Sequence, residues 1–586
     1  MGKEKANQPI INKIFPFLSW LKGYQLSFLR GDALAGLTVA VVLIPQAMAY
    51  AMLAGLPPIY GLYAATLAPL VGSMWGSLRQ LATGPIAIMS LLVLTTLEPM
   101  AEPGSTEFIE LAILLSLMVG IIYLGIGLVK MGEIMSFISH SAVKGFTAAA
   151  ALIIIATQLP HFIGIQVSRH EYIFSQLLDI ITSLPNLHVP TLAIGCVAYV
   201  IIYGLKRIRP NFPSSIVALV VTTVAVVLLN LDQKGVAIVG ETPSGFPLPH
   251  LVQLDFEVIS SLIGPAIVIA FVSFAETYSI GKAISAQTKQ RLDVNQEFVG
   301  QGLANIIGSF FQAYPVSGSF SRTAINYAAG AKTGISSAIS SVVVVLALLF
   351  FTPLLTYIPK ASLAALVISA VLLLFNPKEV FKLWKMNRDD GIVAITVFII
   401  SLLVKPDYAL LLGIMMSLMF FLWKTMHPRI VRISKDTENN FFGNADLFNL
   451  PSCPQILHLR SDNLIYFANA DYTIEHILEQ LENFATTPKF LLMDLQAMGF
   501  IDITGVDELR VLLDETKTRG VRVAFMGVRR PVEEVFESSG FLDEIEKDQL
   551  IKFRGDAITV LFERIDHDYC RNQCPHTIYF ECSTVK

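Results

Sequence analysis

The sequence predicts an α-helical polytopic membrane protein, a fourteen-segment 7+7 inverted repeat with two half-helices, followed by a C-terminal α/β domain. Three observations carry that fold class. The 586-residue chain is 54% hydrophobic and only 15% charged, with a mean hydropathy of +0.61, more apolar than a soluble domain keeps in solution. Apolar runs able to cross roughly 30 Å of hydrocarbon recur in two series. After Lys424 the apolar runs shorten and alternate with acidic helical stretches.

The first series of spans lies at 33–53, 58–77, 108–129, 134–157, 190–206 and 213–230, and the second at 258–282, 294–312, 334–354, 361–376, 390–404 and 407–424. Two further segments are short. One, 84–96, is reached through Thr83-Gly84-Pro85, and the other, 318–327, through Tyr314-Pro315-Val316-Ser317-Gly318. Loops rich in Lys and Arg, around Arg79, Lys130, 206–209, 282–291, Lys332, 378–388 and 424–435, fall on the side of the basic N-terminus, while a loop such as 97–107 is poor in base. This places both termini in the cytoplasm of a multi-pass protein of an inner or plasma membrane.

Residues 1–30 are polar and basic, and the run that follows is too long for a signal peptide and lacks an A-x-A cleavage site. They read as an uncleaved cytoplasmic lead. The transport domain then spans 31–428, a polar linker 429–445, the α/β domain 446–568 and a Cys-containing tail 569–586. Within the α/β domain, 456–459, 464–467, 490–495 and 521–526 read as strands, and 474–484, 506–519 and 531–537 as helices.

The formal net charge of −4 offers no basic surface, so no nucleic-acid partner is expected. The five cysteines, Cys196, Cys453, Cys570, Cys574 and Cys582, are too few and too clustered for the disulfide framework of a secreted domain. Cys570 and Cys574 are spaced C-x3-C, which is no standard zinc pattern, so packing or inert thiols are expected and no metal. No P-loop, metalloprotease motif or nucleophile elbow is found. The chain therefore reads as no enzyme, without a cofactor, driven by a gradient.

The two short segments each stand third in their series. Gly and Pro are common in membrane helices for packing alone, but a matched pair of interrupted spans points to an inverted-repeat transporter with its site at the bilayer midplane. Facing half-helix N-termini offer free N–H groups and positive dipole ends to an anion. The second half-helix opens Ser317-Gly318-Ser319-Phe320-Ser321-Arg322, and an arginine at membrane depth is costly and usually functional. Its bland alternative is pairing with Glu276 or capping a carbonyl. Glu276 sits in the apolar stretch Phe271-Val272-Ser273-Phe274-Ala275-Glu276-Thr277-Tyr278, where burial opposes ionisation and the Arg322 charge favours it. A carboxylate so balanced suits proton coupling. Gln46 and Tyr50 lie one turn apart on one face of the first helix and either line the pocket or hydrogen-bond between helices.

Gly31-Asp32-Ala33-Leu34-Ala35-Gly36-Leu37-Thr38, Pro45-Gln46-Ala47-Met48-Ala49-Tyr50, Pro57-Pro58-Ile59-Tyr60-Gly61-Leu62-Tyr63, Thr83-Gly84-Pro85 and Gly318-Ser319-Phe320-Ser321-Arg322-Thr323-Ala324-Ile325-Asn326-Tyr327 together resemble the SulP anion permeases, over nearly the whole chain. The resemblance implies a membrane domain followed by a STAS domain, and a homodimer in which a core of segments 1–4 and 8–11 moves as an elevator against a gate formed by the rest. A small inorganic anion would bind between segments 3 and 10, at Gln46, Tyr50, Pro85, Ile86, Ala87, Ser319, Phe320, Ser321 and Arg322. Glu276 and Thr277 on segment 8 would serve ion coupling. The serines together with Glu276 look most like the sulfate/proton symporters. The alternatives are a sodium-coupled bicarbonate or other anion transporter or exchanger, and an anion-sensing membrane receptor with STAS output. In Phe500-Ile501-Asp502-Ile503-Thr504-Gly505, Thr504 takes the place phosphorylated in anti-sigma antagonists, with a helix cap as the structural alternative.

Overall fold

The computed structural model describes residues 15–133, 139–168, 172–208, 213–240, 245–252, 254–372, 374–404, 406–439, 441–552 and 554–585. The start of the lead (1–14), residues 134–138 of the fourth long apolar run and Arg209 of one basic loop lie outside them. The chain divides into two compact units, Met1–Ser417 and Leu418–Lys586.

In the first unit the seven segments of the first half are α1 (Leu26–Leu53), the broken pair α2 (Pro58–Ala64) and α3 (Leu67–Trp75), α4 (Ala87–Leu97), α5 (Thr106–Leu128), α6 (His140–Ile163), α7 (Val189–Ile208) and α8 (Ser214–Leu228). The second half repeats the count with α9 (Phe256–Thr288), α10 (Val294–Ser309), α11 (Phe320–Ala328), α12 (Ile335–Phe350), α13 (Lys360–Val371), α14 (Arg388–Leu403) and α15 (Pro406–Met426), the last of which runs on past the boundary at Ser417. Among the described residues, six helices are long and apolar enough to cross a bilayer unaided, and the shorter apolar ones complete the bundle.

The run 58–77, expected as one helix, is two. Pro69 has no N–H, and its ring would collide with the carbonyl of Ala65 in a continuous helix. The chain breaks there, and the Thr66 hydroxyl donates to Tyr63 O at 2.6 Å. The run 361–376 likewise ends early, at Val371, and gives way to an amphipathic helix, Pro377–Met386. A second amphipathic helix covers Ile173–Ser183. Both escape a search for uniformly apolar runs because one face of each is polar.

Packing sorts these helices into two groups. α10 lies against α5 and α3, and α12 against α1 and α3, whereas α6 lies against α13 and α14, and α7 against α8 and α13. The α5–α10 contact is backbone-close: a Cβ on Gly120 would stand 2.9 Å from Gly302 O, and one on Gly302 2.9 Å from Gly120 O. Only glycine at both places permits that approach.

Asp32, fully buried in the first turns of α1, binds the chain ahead of α12. Its Oδ1 accepts from the N–H groups of Lys332 (2.6 Å) and Thr333 (3.0 Å), and its Oδ2 from the Thr333 hydroxyl (2.7 Å). Asp32→Ala leaves these donors buried and unpaired, and is expected to cost about 2–3 kcal/mol. Thermal unfolding in detergent checks this: Asp32→Ala should melt several degrees below wild type, and Asp32→Asn, which keeps one acceptor, should lie between.

The second unit holds a six-stranded sheet ordered β4-β3-β5-β6-β7-β8, comprising β3 (Ile430–Asp436), β4 (Phe441–Asn444), β5 (Ile456–Ser461), β6 (Phe490–Asp494), β7 (Arg522–Met526) and β8 (Leu550–Ile551). β5 to β8 are parallel, and β3 joins β5 antiparallel. Residues 429–445, expected as a linker, therefore supply two strands of the sheet. Residues 464–467 form no strand beyond a single bridge from Ile465 to Ile501.

Both faces of the central strands are buried, so β6 reads as an unbroken apolar run. On one face Leu457, Leu459, Leu491, Met493, Val523 and Phe525 pack under the helices α16 (Ala470–Glu482), α17 (Ile503–Thr518) and α18 (Arg530–Ser538). On the other, Ile456, Phe490, Leu492, Ala524 and Met526 meet Phe562, Cys453 and, from the tail, Cys570, Ile578, Tyr579 and Cys582. The tail, set apart in the sequence, is the cover of the second core.

Candidate anion site

The two segments that lead into the half-helices pair with each other as strands. β1 (Thr83–Gly84) runs antiparallel to β2 (Ser317–Gly318), with Thr83 opposite Gly318 and Gly84 opposite Ser317. Each strand feeds a helix, so antiparallel pairing sends α4 and α11 away in opposite directions and leaves their N-termini meeting at the strands. Pro85, Ile86 and Ala87 are buried at the start of α4, whose N-terminus carries no side-chain cap. Ser319 caps α11, its hydroxyl accepting from Arg322 N at 3.5 Å, while its own N–H donates to Ala82 O at 2.9 Å.

Arg322 is fully buried. Its Nη1 donates to Gln46 Oε1 at 3.4 Å, and its Nε and Nη2 are buried without a hydrogen-bond partner. A Cβ on Gly84, which sits at φ +149°, would lie 3.2 Å from Nη2. Glycine here keeps the guanidinium edge clear on the side of β1. Tyr50, Tyr314 and Glu276 are its titratable neighbours. Gln46 and Tyr50, one turn apart on α1, are both buried; Gln46 bonds the guanidinium and Tyr50 acts on it as a neighbouring titratable group.

Glu276 and Arg322 form no ion pair, and Glu276 Oε2 is buried without a partner. The structural alternative raised by the sequence, a simple Glu276–Arg322 bridge, is absent among the described residues. Thr277 is committed to architecture: its Oγ1 meets Ser317 Oγ at 2.8 Å and accepts from Gly318 N at 3.2 Å. Ser317 also donates to Ser273 O at 3.0 Å. These bonds fasten α9 to β2, next to Glu276. Phe320 and Ser321 are exposed and do not touch the guanidinium by any hydrogen bond. Thr504 belongs to the other unit, where it is exposed in the first turn of α17, and the cap there is Asp502, whose Oδ1 accepts from Gly505 N at 2.8 Å.

Sequence reasoning passed over the residues that hold the strands in place. Glu297, Gln301 and Asn305, all buried, form a polar ladder along one face of α10. Gln301 Nε2 donates to Thr83 Oγ1 (2.9 Å) and to Glu297 Oε1 (3.1 Å), tying down β1. Asn305 exchanges two bonds with Val316, Nδ2 to Val316 O at 3.0 Å and Val316 N to Oδ1 at 2.9 Å, and so holds the chain entering β2. Spacing of four between polar residues in a membrane span is the signal that marks them. Further in, the Tyr314 hydroxyl meets Ser90 Oγ at 3.0 Å, and the Tyr123 hydroxyl bonds Ser273.

What this arrangement offers is a charge without an ion-pair partner among the described residues, beside two helix N-termini, in a shell of small and hydroxylated residues. That chemistry receives an anion through N–H donors.

Residues 29–397 match the sulfate permease family, and residues 448–555 match the STAS domain. The chain is 33% identical over 576 residues to sulfate transporter 4.1, chloroplastic, of Arabidopsis thaliana, covering 95% of this chain and 83% of that one. It is 33% identical over 557 residues to a probable sulfate transporter of Mycobacterium tuberculosis, covering 94% and 98%. The murine solute carrier 26 family member A9 anion transporter, in its inward-facing state, matches with a TM-score of 0.87 at 23% identity over 97% of each chain. The transmembrane domain of the cyanobacterial bicarbonate transporter BicA matches at 0.58 and 22% identity, covering 67% of this chain and 98% of that one. At such identities the two structures bear on the fold alone.

Proposed function

The chain belongs to the sulfate permease family and is a multi-pass anion transporter, and from that premise we propose that its cargo is sulfate, taken up together with a proton. The observation that carries this reading is the buried Arg322 guanidinium with Nε and Nη2 unpaired, beside the paired N-termini of α4 and α11. One formal positive charge and two helix ends of roughly half a charge each come to about two positive charges, the complement of a sulfate dianion. An ionised Glu276 would remove about half of that. Loading of a dianion is therefore strongest with Glu276 protonated, and anion and proton bind cooperatively.

Gln46, Tyr50, Ser319 and the backbone N–H groups of α4 and α11 would orient the sulfate oxygens. Phe320 and Ser321, being exposed, would line the approach. Thr277 would act on coupling through position, by holding β2 against the helix that carries Glu276. The division of the bundle into an α1–α3–α5–α10–α12 group and an α6–α7–α8–α13–α14 group supports movement of a core carrying the site against a gate, within a homodimer. Thr504, exposed at a helix N-terminus, suits a regulatory phosphate.

Uptake of radiolabelled sulfate into proteoliposomes tests the whole reading. Accumulation should follow an inward proton gradient, collapse with a protonophore, and be indifferent to sodium. Accumulation driven by sodium, or bicarbonate outcompeting sulfate, would overturn the assignment of cargo and coupling. Binding without flux would make the protein a sensor.

A further inference from the structure

Four of the five cysteines, spread over Cys453 to Cys582 in sequence, converge on one small cavity in the second core of the STAS unit. Cys453 precedes β5, Cys570 lies in the helix His567–Asn572, Cys574 follows that helix, and Cys582 lies in the last turn of the tail. All four line the cavity, with Phe562, Ile565, Ile578 and Tyr579. Cys453, Cys570 and Cys582 are buried, whereas Cys574 is partly open to solvent. No disulfide joins any two of them.

Inert packing thiols would have no reason to gather. A cysteine in a core is a small apolar residue, exchangeable for alanine or valine, and nothing in hydrophobic packing directs four of five to one void. Soft-ligand convergence of this kind also suits a metal, yet no group of three or more potential ligands is arranged to hold an ion among the described residues. Pairing of two sulfurs asks for less.

We propose that this cluster is a thiol–disulfide exchange site that accepts a low-molecular-weight disulfide such as glutathione disulfide, with Cys574 as the attacking thiol and Cys570 as the resolving one. The chain geometry keeps the two together. The helix ends at Asn572, and Cys574 N turns back to donate to Tyr569 O at 3.0 Å. Burial pushes the Cys453 thiol up to about 11 and raises Cys570 as well, so the solvent-facing Cys574 is the thiol placed to react first.

In the first step Cys574 loses its proton to solvent, and its sulfur attacks the small disulfide. A Cys574–glutathione bond forms, and one glutathione thiolate leaves and takes up a proton. In the second, Cys570 gives up its proton and attacks Cys574 Sγ, forming the Cys570–Cys574 bond and releasing the second glutathione as a thiol. Two cysteine thiols are oxidised and one small disulfide is reduced to two thiols. Oxidation also changes the fastening of the tail, because Cys570 Sγ accepts a hydrogen bond from Gln455 Nε2 at 3.2 Å. Gln455 is the residue that holds the start of the Cys570 helix, through Asp566 N and Asp566 O, both at 2.9 Å.

Full-length protein in detergent, equilibrated with defined ratios of reduced to oxidised glutathione and then alkylated, is read by intact mass and peptide mapping. The expected result is the loss of two hydrogen atoms, a Cys570–Cys574 cross-link that dithiothreitol reverses, and Cys196 alkylated throughout. Cys570→Ser should trap one glutathione on Cys574, and Cys574→Ser should leave the cluster reduced. Equal alkylation of all four thiols under oxidising conditions would overturn the proposal. So would protection from alkylation without loss of hydrogen and reversed by a chelator, which would reveal a metal instead. The wild-type map stands whether or not the variants fold.

Discussion

Arg322→Ala is expected to weaken sulfate binding by roughly 30- to 1,000-fold, corresponding to about 2–4 kcal/mol lost when one side of a buried charge-assisted contact is removed. The fold should survive it. Arg322 spends only Nη1 on the protein, in a long 3.4 Å contact with Gln46, and its other two nitrogens have no partner among the described residues. Truncation therefore deletes an uncompensated charge and leaves no broken bridge behind, so thermal stability without sulfate should hold or rise. Arg322→Lys keeps the charge and loses the planar fork, so affinity should recover in part. Sulfate binding by scintillation proximity, with melting temperatures on the same samples, separates the two effects. Unchanged affinity in folded Arg322→Ala protein would remove the arginine from the site.

Glu276→Gln is expected to abolish concentrative uptake while leaving exchange intact. The amide imitates the protonated carboxyl, the state in which the positive field of Arg322 and the two helix ends acts unopposed on a dianion. Sulfate should bind at least as well as to wild type at low pH, and its affinity should lose its pH dependence. With no proton to release, however, the loaded and empty site can no longer be linked to a gradient. Counterflow and gradient-driven uptake in the same vesicles read these two properties apart: counterflow near wild type, accumulation against the gradient reduced to equilibration. Gradient-driven accumulation with wild-type pH dependence in Glu276→Gln would assign the proton to another group, and Glu297, buried on α10, would be the next to test.

Much of this protein was legible without a structure because its determinants are local. Fourteen segments follow from the lengths of apolar runs, and the two half-helices from the breakers Gly84-Pro85 and Pro315 with Gly318, which interrupt the pattern whatever surrounds them. Gln46 and Tyr50 could be placed on one face from their spacing alone, and Arg322 was conspicuous because charge in an apolar context is expensive wherever it ends up. Local signals also misled in predictable places. The span 58–77 looks whole because one proline at Pro69 weighs little in an average over twenty residues, and 429–445 looks like a linker because β4, at the sheet edge, is four residues long and β3 ends in the polar Ser434-Lys435-Asp436.

The tertiary structure alone decided what happens between residues more than two hundred positions apart. No periodicity says that Thr83-Gly84 pairs with Ser317-Gly318, since a two-residue strand has no period and its bonds exist only once both helices are in place. The same holds for the ladder Glu297, Gln301 and Asn305, which in sequence is a faint polar stripe and in the fold pins both strands. It was also the fold that left Arg322 apart from Glu276 and gathered four cysteines around one cavity. Sequence fixes where polar and breaking residues fall along a helix, but which of them meet depends on backbone approach of the kind Gly120 and Gly302 permit, and that is a property of the packed pair and not of either helix.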